Sequence, residues 1–131
     1  MKKSVRIIHW LPRILCIVAI LFVSMFALDV FDSGLSGMQQ IKALAMHLIP
    51  SFVLILMLVF AWRYELHGGV AFIMLGAGFT PFIFMGNYNM NHSLGTSLVI
   101  IITTTIPFMV VGMLFILSYF LKKRNKEKGS A

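Results

Sequence analysis

Charge is what this 131-residue sequence has least of. Only 11% of its residues are Asp, Glu, Lys or Arg, against about 25% in a soluble globular domain. Apolar residues make up 60%, and the mean hydropathy is +0.94. A domain this small cannot hide that much apolar surface from water, which excludes an ordinary soluble globule. Acids are scarcest of all: Asp29, Asp32, Glu65 and Glu127 are the only four. They leave little material for acid–base chemistry. No Ser–His–Asp pattern, phosphate loop or clustered acid pair within a cleft-forming segment is present. The chain is therefore expected not to be an enzyme, with no catalytic residue and no cofactor. Cys16 is the single cysteine, so an intrachain disulfide is excluded and a buried, inert thiol is expected. The four histidines show no His-x-x-x-His spacing, and no metal site is expected.

What the sequence does have is long uncharged apolar runs, the mark of membrane helices. The cations sit around them unevenly. Lys2, Lys3 and Arg6 open the chain, and Lys122, Lys123, Arg124, Lys126 and Lys128 close it. Only Arg13, Lys42 and Arg63 lie between. A pI of about 10.0 also suits nucleic-acid binding, but these ends are short and hold no aromatic platform, so no nucleic-acid partner is expected. They read as cytoplasmic flanks of membrane spans, with attraction to anionic lipid headgroups as a second role. Residues 1–10, 62–68 and 122–131 then lie inside. Residues 32–41 and 87–97, free of Lys and Arg, lie outside. This predicts a multi-pass protein of the cell membrane with both termini cytoplasmic.

The fold expected is all-α: a polytopic membrane protein with four transmembrane helices as two antiparallel hairpins. A basic lead (1–10) precedes a membrane domain (11–121), and a basic tail (122–131) follows it. The spans are placed at about 12–31, 41–62, 69–86 and 98–121. The start resembles a signal peptide, but the apolar run to Val30 is long and no small-x-small cleavage pattern follows, so an uncleaved helix is expected. Pro12 suits a helix's first turn, and Trp10 suits the membrane interface. Asp32 to Gly37, with two glycines, ends the first span. The stretch Ala61 to Gly69 joins the two hairpins, with its turn at His67-Gly68-Gly69. Pro50, Pro81 and Pro107 fall inside the later spans, where each frees a backbone carbonyl. The hydroxyls of Thr103, Thr104 and Thr105 are suited to satisfying such groups in lipid. Gly69, Gly76 and Thr80 form a small-residue face on the third span, fit for close approach of a neighbouring helix or another subunit.

The remaining polar residues fall into two layers. Arg13 and Asp29 are 16 residues apart, as are His47 and Arg63, a rise of roughly 24 Å in a helix. In antiparallel helices this sets an inner charge layer of Arg13, Arg63 and Glu65, with His9 and His67 nearby. An Arg13–Glu65 pair would lower the cost of charge near hydrocarbon; independent snorkelling to the headgroups is the alternative. An outer polar layer holds Asp29, Asp32, His47 and His92. An ionisable residue within a span is a functional candidate, and a carboxylate beside a histidine can relay protons or bind a cation. Helix-end bonding is the plainer reading.

Taken together, Leu11-Pro12-Arg13, Phe26-Ala27-Leu28-Asp29-Val30-Phe31, His47-Leu48-Ile49-Pro50-Ser51 and Ala61-Trp62-Arg63-x-Glu65-x-x-Gly68-Gly69 carry a family resemblance. The chain resembles a family of small prokaryotic four-helix membrane proteins catalogued only as a domain of unknown function. The resemblance implies an integral membrane protein with four spans, and it brings no activity and no catalytic residue. The expected function is structural, accessory or regulatory, in contact with the lipid bilayer and with a second copy or another membrane protein. The alternative is a subunit of a small oligomeric ion, proton or solute transporter or channel, with Asp29, His47, Ser51 and the threonines near a polar path.

Overall fold

A computed structural model of the protein describes residues 3–32 and 34–130, without the side chains of Phe26, Asp29 and Asp32. Its elements are α1 (Lys3–Met25), a 3-10 segment (Phe26–Asp32), α2 (Gly37–Arg63), α3 (Glu65–Asn91) and α4 (Leu94–Gly129). The described chain is thus all-α, and each of the four helices is long and apolar enough to cross a membrane. Within the four apolar windows only 17% to 22% of the residues are buried. Ile7, Leu21, Phe22, Leu56, Met74 and Phe82 point their apolar side chains outward. In water such a surface would be untenable; in a bilayer it is the face that meets lipid. The chain is a multi-pass membrane protein.

The helices are longer than the expected spans, and their ends lie elsewhere. α1 begins at Lys3, so Pro12 sits in its interior rather than in its first turn. α1 also stops at Met25, with Phe26–Asp32 wound as a 3-10 segment. α4 has 36 residues, roughly 54 Å of helix, so the basic tail is a helical rod continuous with the span. The expected loop over 87–97 shrinks to two residues. His92 caps α3 in the left-handed region, with φ 48° and its N–H donating to Tyr88 O at 2.8 Å. Ser93 caps α4, its Oγ accepting from the Thr96 N–H at 3.3 Å. The His92 backbone N–H and the Ser93 hydroxyl each satisfy backbone that the helix end would otherwise leave bare.

The link between the hairpins differs most from expectation. A single residue, Tyr64, separates α2 from α3. It donates to Phe60 O and accepts from the Gly68 N–H, both at 2.8 Å. The turn is therefore at Tyr64, and Gly68 and Gly69 lie inside α3. Their role is helix approach rather than turning. A Cβ on Gly68 would run into the backbone of Ala61 on α2. A Cβ on Gly69 would lie 2.6 Å from Gly112 O on α4.

The helices form an antiparallel ring in which α1 packs on α2 and α4, and α3 packs on α2 and, most extensively, on α4. Cys16 and Ile20 of α1, Leu54, Leu58 and Ala61 of α2, Phe72 of α3 and Val111 and Phe115 of α4 make the core. Phe72 and Phe115 stack at 6.0 Å with an interplanar angle of 11°. The start of α1, the Tyr64 link and the basic end of α4 gather at one end of the bundle, where the polar site is built.

Candidate functional site

Arg13 is the largest side chain buried to below 2% exposure, at 1%. It sits one turn after His9 on α1, and its Nη1 donates to the His9 backbone carbonyl. Nη2 donates to Glu65 Oε1 at 2.7 Å. The guanidinium carbon lies 5.2 Å from the centre of the Trp62 ring and 5.4 Å from that of Phe115. One side chain of α1 thus touches α2, α3 and α4. Its Nε is buried without a hydrogen-bond partner among the described residues, which leaves the two rings to face the rest of the cation.

Glu65 is the first residue of α3, where a carboxylate meets the favourable end of the helix dipole. Its Oε1 collects three nitrogens: Arg13 Nη2 at 2.7 Å, Lys122 Nζ at 2.8 Å and His9 Nδ1 at 2.9 Å. Oε2 takes a long contact from Ser118 Oγ at 3.4 Å. His9 Nδ1 also stands 3.0 Å from Arg13 Nη1 and 3.4 Å from Ser118 Oγ. It donates to the carboxylate or accepts from the guanidinium according to its tautomer. Trp10 meets Trp62 edge to face at 5.9 Å, closing the site beside Arg13.

Of the inner layer read from the sequence, the structure brings Arg13 and Glu65 together and leaves Arg63 outside. The Arg63 side chain is exposed and makes no ion pair with Glu65. His67 is exposed too and packs edge to face on Tyr64 at 6.5 Å. The cation that completes the site is Lys122, the first residue of the stretch that the sequence reads as a basic tail. Ser118, which meets Glu65 and His9 beside it, is not among the residues the sequence singles out. A signal for both existed: His9 with Arg13, and Ser118 with Lys122, are each four residues apart, and so share a helix face at one membrane depth.

The outer layer is not drawn together among the described residues. His47 is exposed and its Nδ1 lies 2.8 Å from the carbonyl of Ala43, within its own helix. His92 is exposed at the helix end and meets Tyr88 edge to face at 6.3 Å. The side chains of Asp29 and Asp32 lie outside the described residues. Deeper in the bundle, Ser24 Oγ donates to Ser51 Oγ at 3.0 Å, tying α1 to α2. The threonines of α4 bond backward: Thr103 to the carbonyls of Val99 and Ile100, Thr105 to that of Ile101. These bonds satisfy the hydroxyls and do not reach the Thr103 carbonyl that Pro107 frees.

Of the small-residue face, Gly69 and Gly76 meet α4 of the same chain, Gly76 opposite Met109 and Thr105. Thr80 is half-buried and donates to Gly76 O at 2.8 Å. Two cavities lie among the described helices. One, of about 420 Å³, is walled by side chains of all four helices, among them Val23, Pro50, Leu54, Leu75 and Phe108. The other, of about 320 Å³, opens beside Glu65 and Lys122.

Among the described residues no cluster of three or more His, Cys, Asp or Glu could hold a metal ion. No curated protein and no solved structure matches the chain. A family described as a domain of unknown function, DUF7670, matches residues 1–127. The match takes in every member of the ion cluster, from His9 to Lys122, and the chain belongs to that family.

Proposed function

We propose that the protein is a non-enzymatic component of the cell membrane, structural, accessory or regulatory in role. Both chain ends would face the cytoplasm, and its partner would be a second copy or another membrane protein. The observation that carries this reading is the use of the buried polar groups. Arg13, Glu65 and Ser118 are bonded to one another across helices, and Ser51 is held by Ser24. Such bonds join helices, as polar groups do in lipid, and they do not line a path. The exposed His47 and the apolar lining of the larger cavity point the same way. The cation distribution supports the orientation.

Flux from proteoliposomes tests the reading. Purified protein is expected to pass protons, sodium or potassium no faster than empty vesicles. Flux that is lost in Asp29→Asn or His47→Ala would overturn it in favour of a transporter subunit. Gentle detergent extraction followed by intact-mass analysis is expected to show a second copy or another membrane protein bound; a lone monomer at membrane abundance would count against the accessory role.

A further inference from the structure

The ion cluster holds more positive charge than Glu65 can balance. Arg13 has first claim on the carboxylate, being 1% exposed and seated against two rings. Lys122 is 37% exposed. Its ammonium can leave Glu65 without uncovering the acid, because Arg13 remains. Lys122 lines the cavity of about 320 Å³, together with Trp62, Arg63, Tyr64, His67 and Tyr119. Arg63 enters that wall with no ion pair among the described residues. The cavity therefore offers two cations, with its one acid already held from behind. Tyr64, Tyr119 and Trp62 complete its wall.

We propose that this cavity binds the phosphate of an anionic phospholipid headgroup, with Arg63 and Lys122 as the cationic ligands. A guanidinium grips phosphate oxygens with two parallel bonds, and an ammonium supplies a point charge beside them. Trp62 and Tyr119 are the residue types that settle at headgroup depth. A lipid fits better than a free phosphate ion because apolar surface adjoins the wall. Phe60, one turn before Arg63, is 46% exposed, and Phe120, next to Tyr119, is 53% exposed. Acyl chains would cover both. Basic pockets between membrane helices take headgroups in this way.

The test uses the full-length chain in detergent, with native mass spectrometry after addition of phosphatidylglycerol or phosphatidylcholine at equal concentration. Phosphatidylglycerol is expected to be retained in preference, and Arg63→Gln to cut that preference about fivefold, as loss of one cation beside an anionic headgroup implies. Lys122→Gln is expected to act in the same direction. A Lys126→Gln, Lys128→Gln double variant, altered only in the basic end of α4, should keep the preference. Circular dichroism verifies that each variant is folded. Equal retention of the two lipids would overturn the proposal. So would a preference that survives Arg63→Gln but is lost in the double variant, since that is attraction to the tail. Thermal protection by millimolar inorganic phosphate equal to that by phosphatidylglycerol would assign the cavity to a free ion and overturn the lipid assignment.

Discussion

Arg13 concentrates more of the tertiary structure than any other residue, because its guanidinium meets Trp62, Glu65 and Phe115 at once. Removing one partner of a buried ion pair strands the other charge, at a cost of roughly 3–5 kcal/mol. Glu65→Gln is therefore expected to lower the unfolding temperature in detergent sharply, read by circular dichroism or a thiol-reactive dye at Cys16. An unchanged unfolding temperature would remove the cluster from the account of stability. Arg13→Lys is expected to destabilise as well, although it keeps the charge. Lysine lacks the planar face that lies against the two rings and the fork that reaches His9 and Glu65 together. Lys122→Ala should cost far less, about 1 kcal/mol or below, since its partly exposed ammonium resembles a surface pair. Comparing the three variants in one detergent ranks the cations directly. At this scale the sequence made the Arg13–Glu65 pair legible, because both residues stood at one depth in antiparallel helices. It misplaced Lys122, because a lysine inside a basic run carries no mark of the one carboxylate it will meet.

Helix approach is governed by glycine at two places, and here the positions can be separated by experiment. A Gly-to-Ala change in a helix interior ordinarily stabilises by about 1 kcal/mol through reduced backbone freedom. At Gly112 the added Cβ would lie 2.6 Å from Gly69 O, and at Gly69 it would lie the same distance from Gly112 O. Those atoms are backbone and cannot rotate aside. Gly69→Ala and Gly112→Ala are each expected to lower the unfolding temperature, by forcing α3 and α4 apart. Gly78→Ala meets nothing within 4 Å and is expected to be neutral or slightly stabilising. If all three variants behave alike, close approach is not what these glycines provide. The small-residue face of α3 was readable as a pattern, and its partner was not. Seven residues separate Gly69 from Gly76, and seven separate Thr105 from Gly112. Nothing local says that these two intervals meet. The same limit explains the misplaced turn. A Gly-Gly pair after a span reads as a helix stop, whereas here it admits Ala61 and Gly112, and Tyr64 alone turns the chain.

For the molecule as a whole, orientation in the membrane is the open physical variable, and the cation count predicts it. A cysteine placed at Asn89, in a Cys16→Ser background, is expected to react with a membrane-impermeant maleimide in intact cells. Labelling only after permeabilisation would reverse the orientation. Composition and periodicity by themselves determined that this chain enters a bilayer, that it crosses four times and that it does so as α-helices. Those properties follow from the free energy of placing apolar side chains and hydrogen-bonded backbone in hydrocarbon, which each segment meets almost alone. Tertiary structure decided which polar groups share a site: that Lys122 and Ser118 complete the Arg13–Glu65 cluster, that Arg63 stands beside it on an open cavity, and that His47 faces outward. The reason is one of sequence distance. Contacts such as Glu65 to Lys122, 57 residues apart, depend on the rotation of each helix about its axis and on the order of helices in the ring. Both are set by how neighbouring surfaces pack, and no segment carries that information by itself.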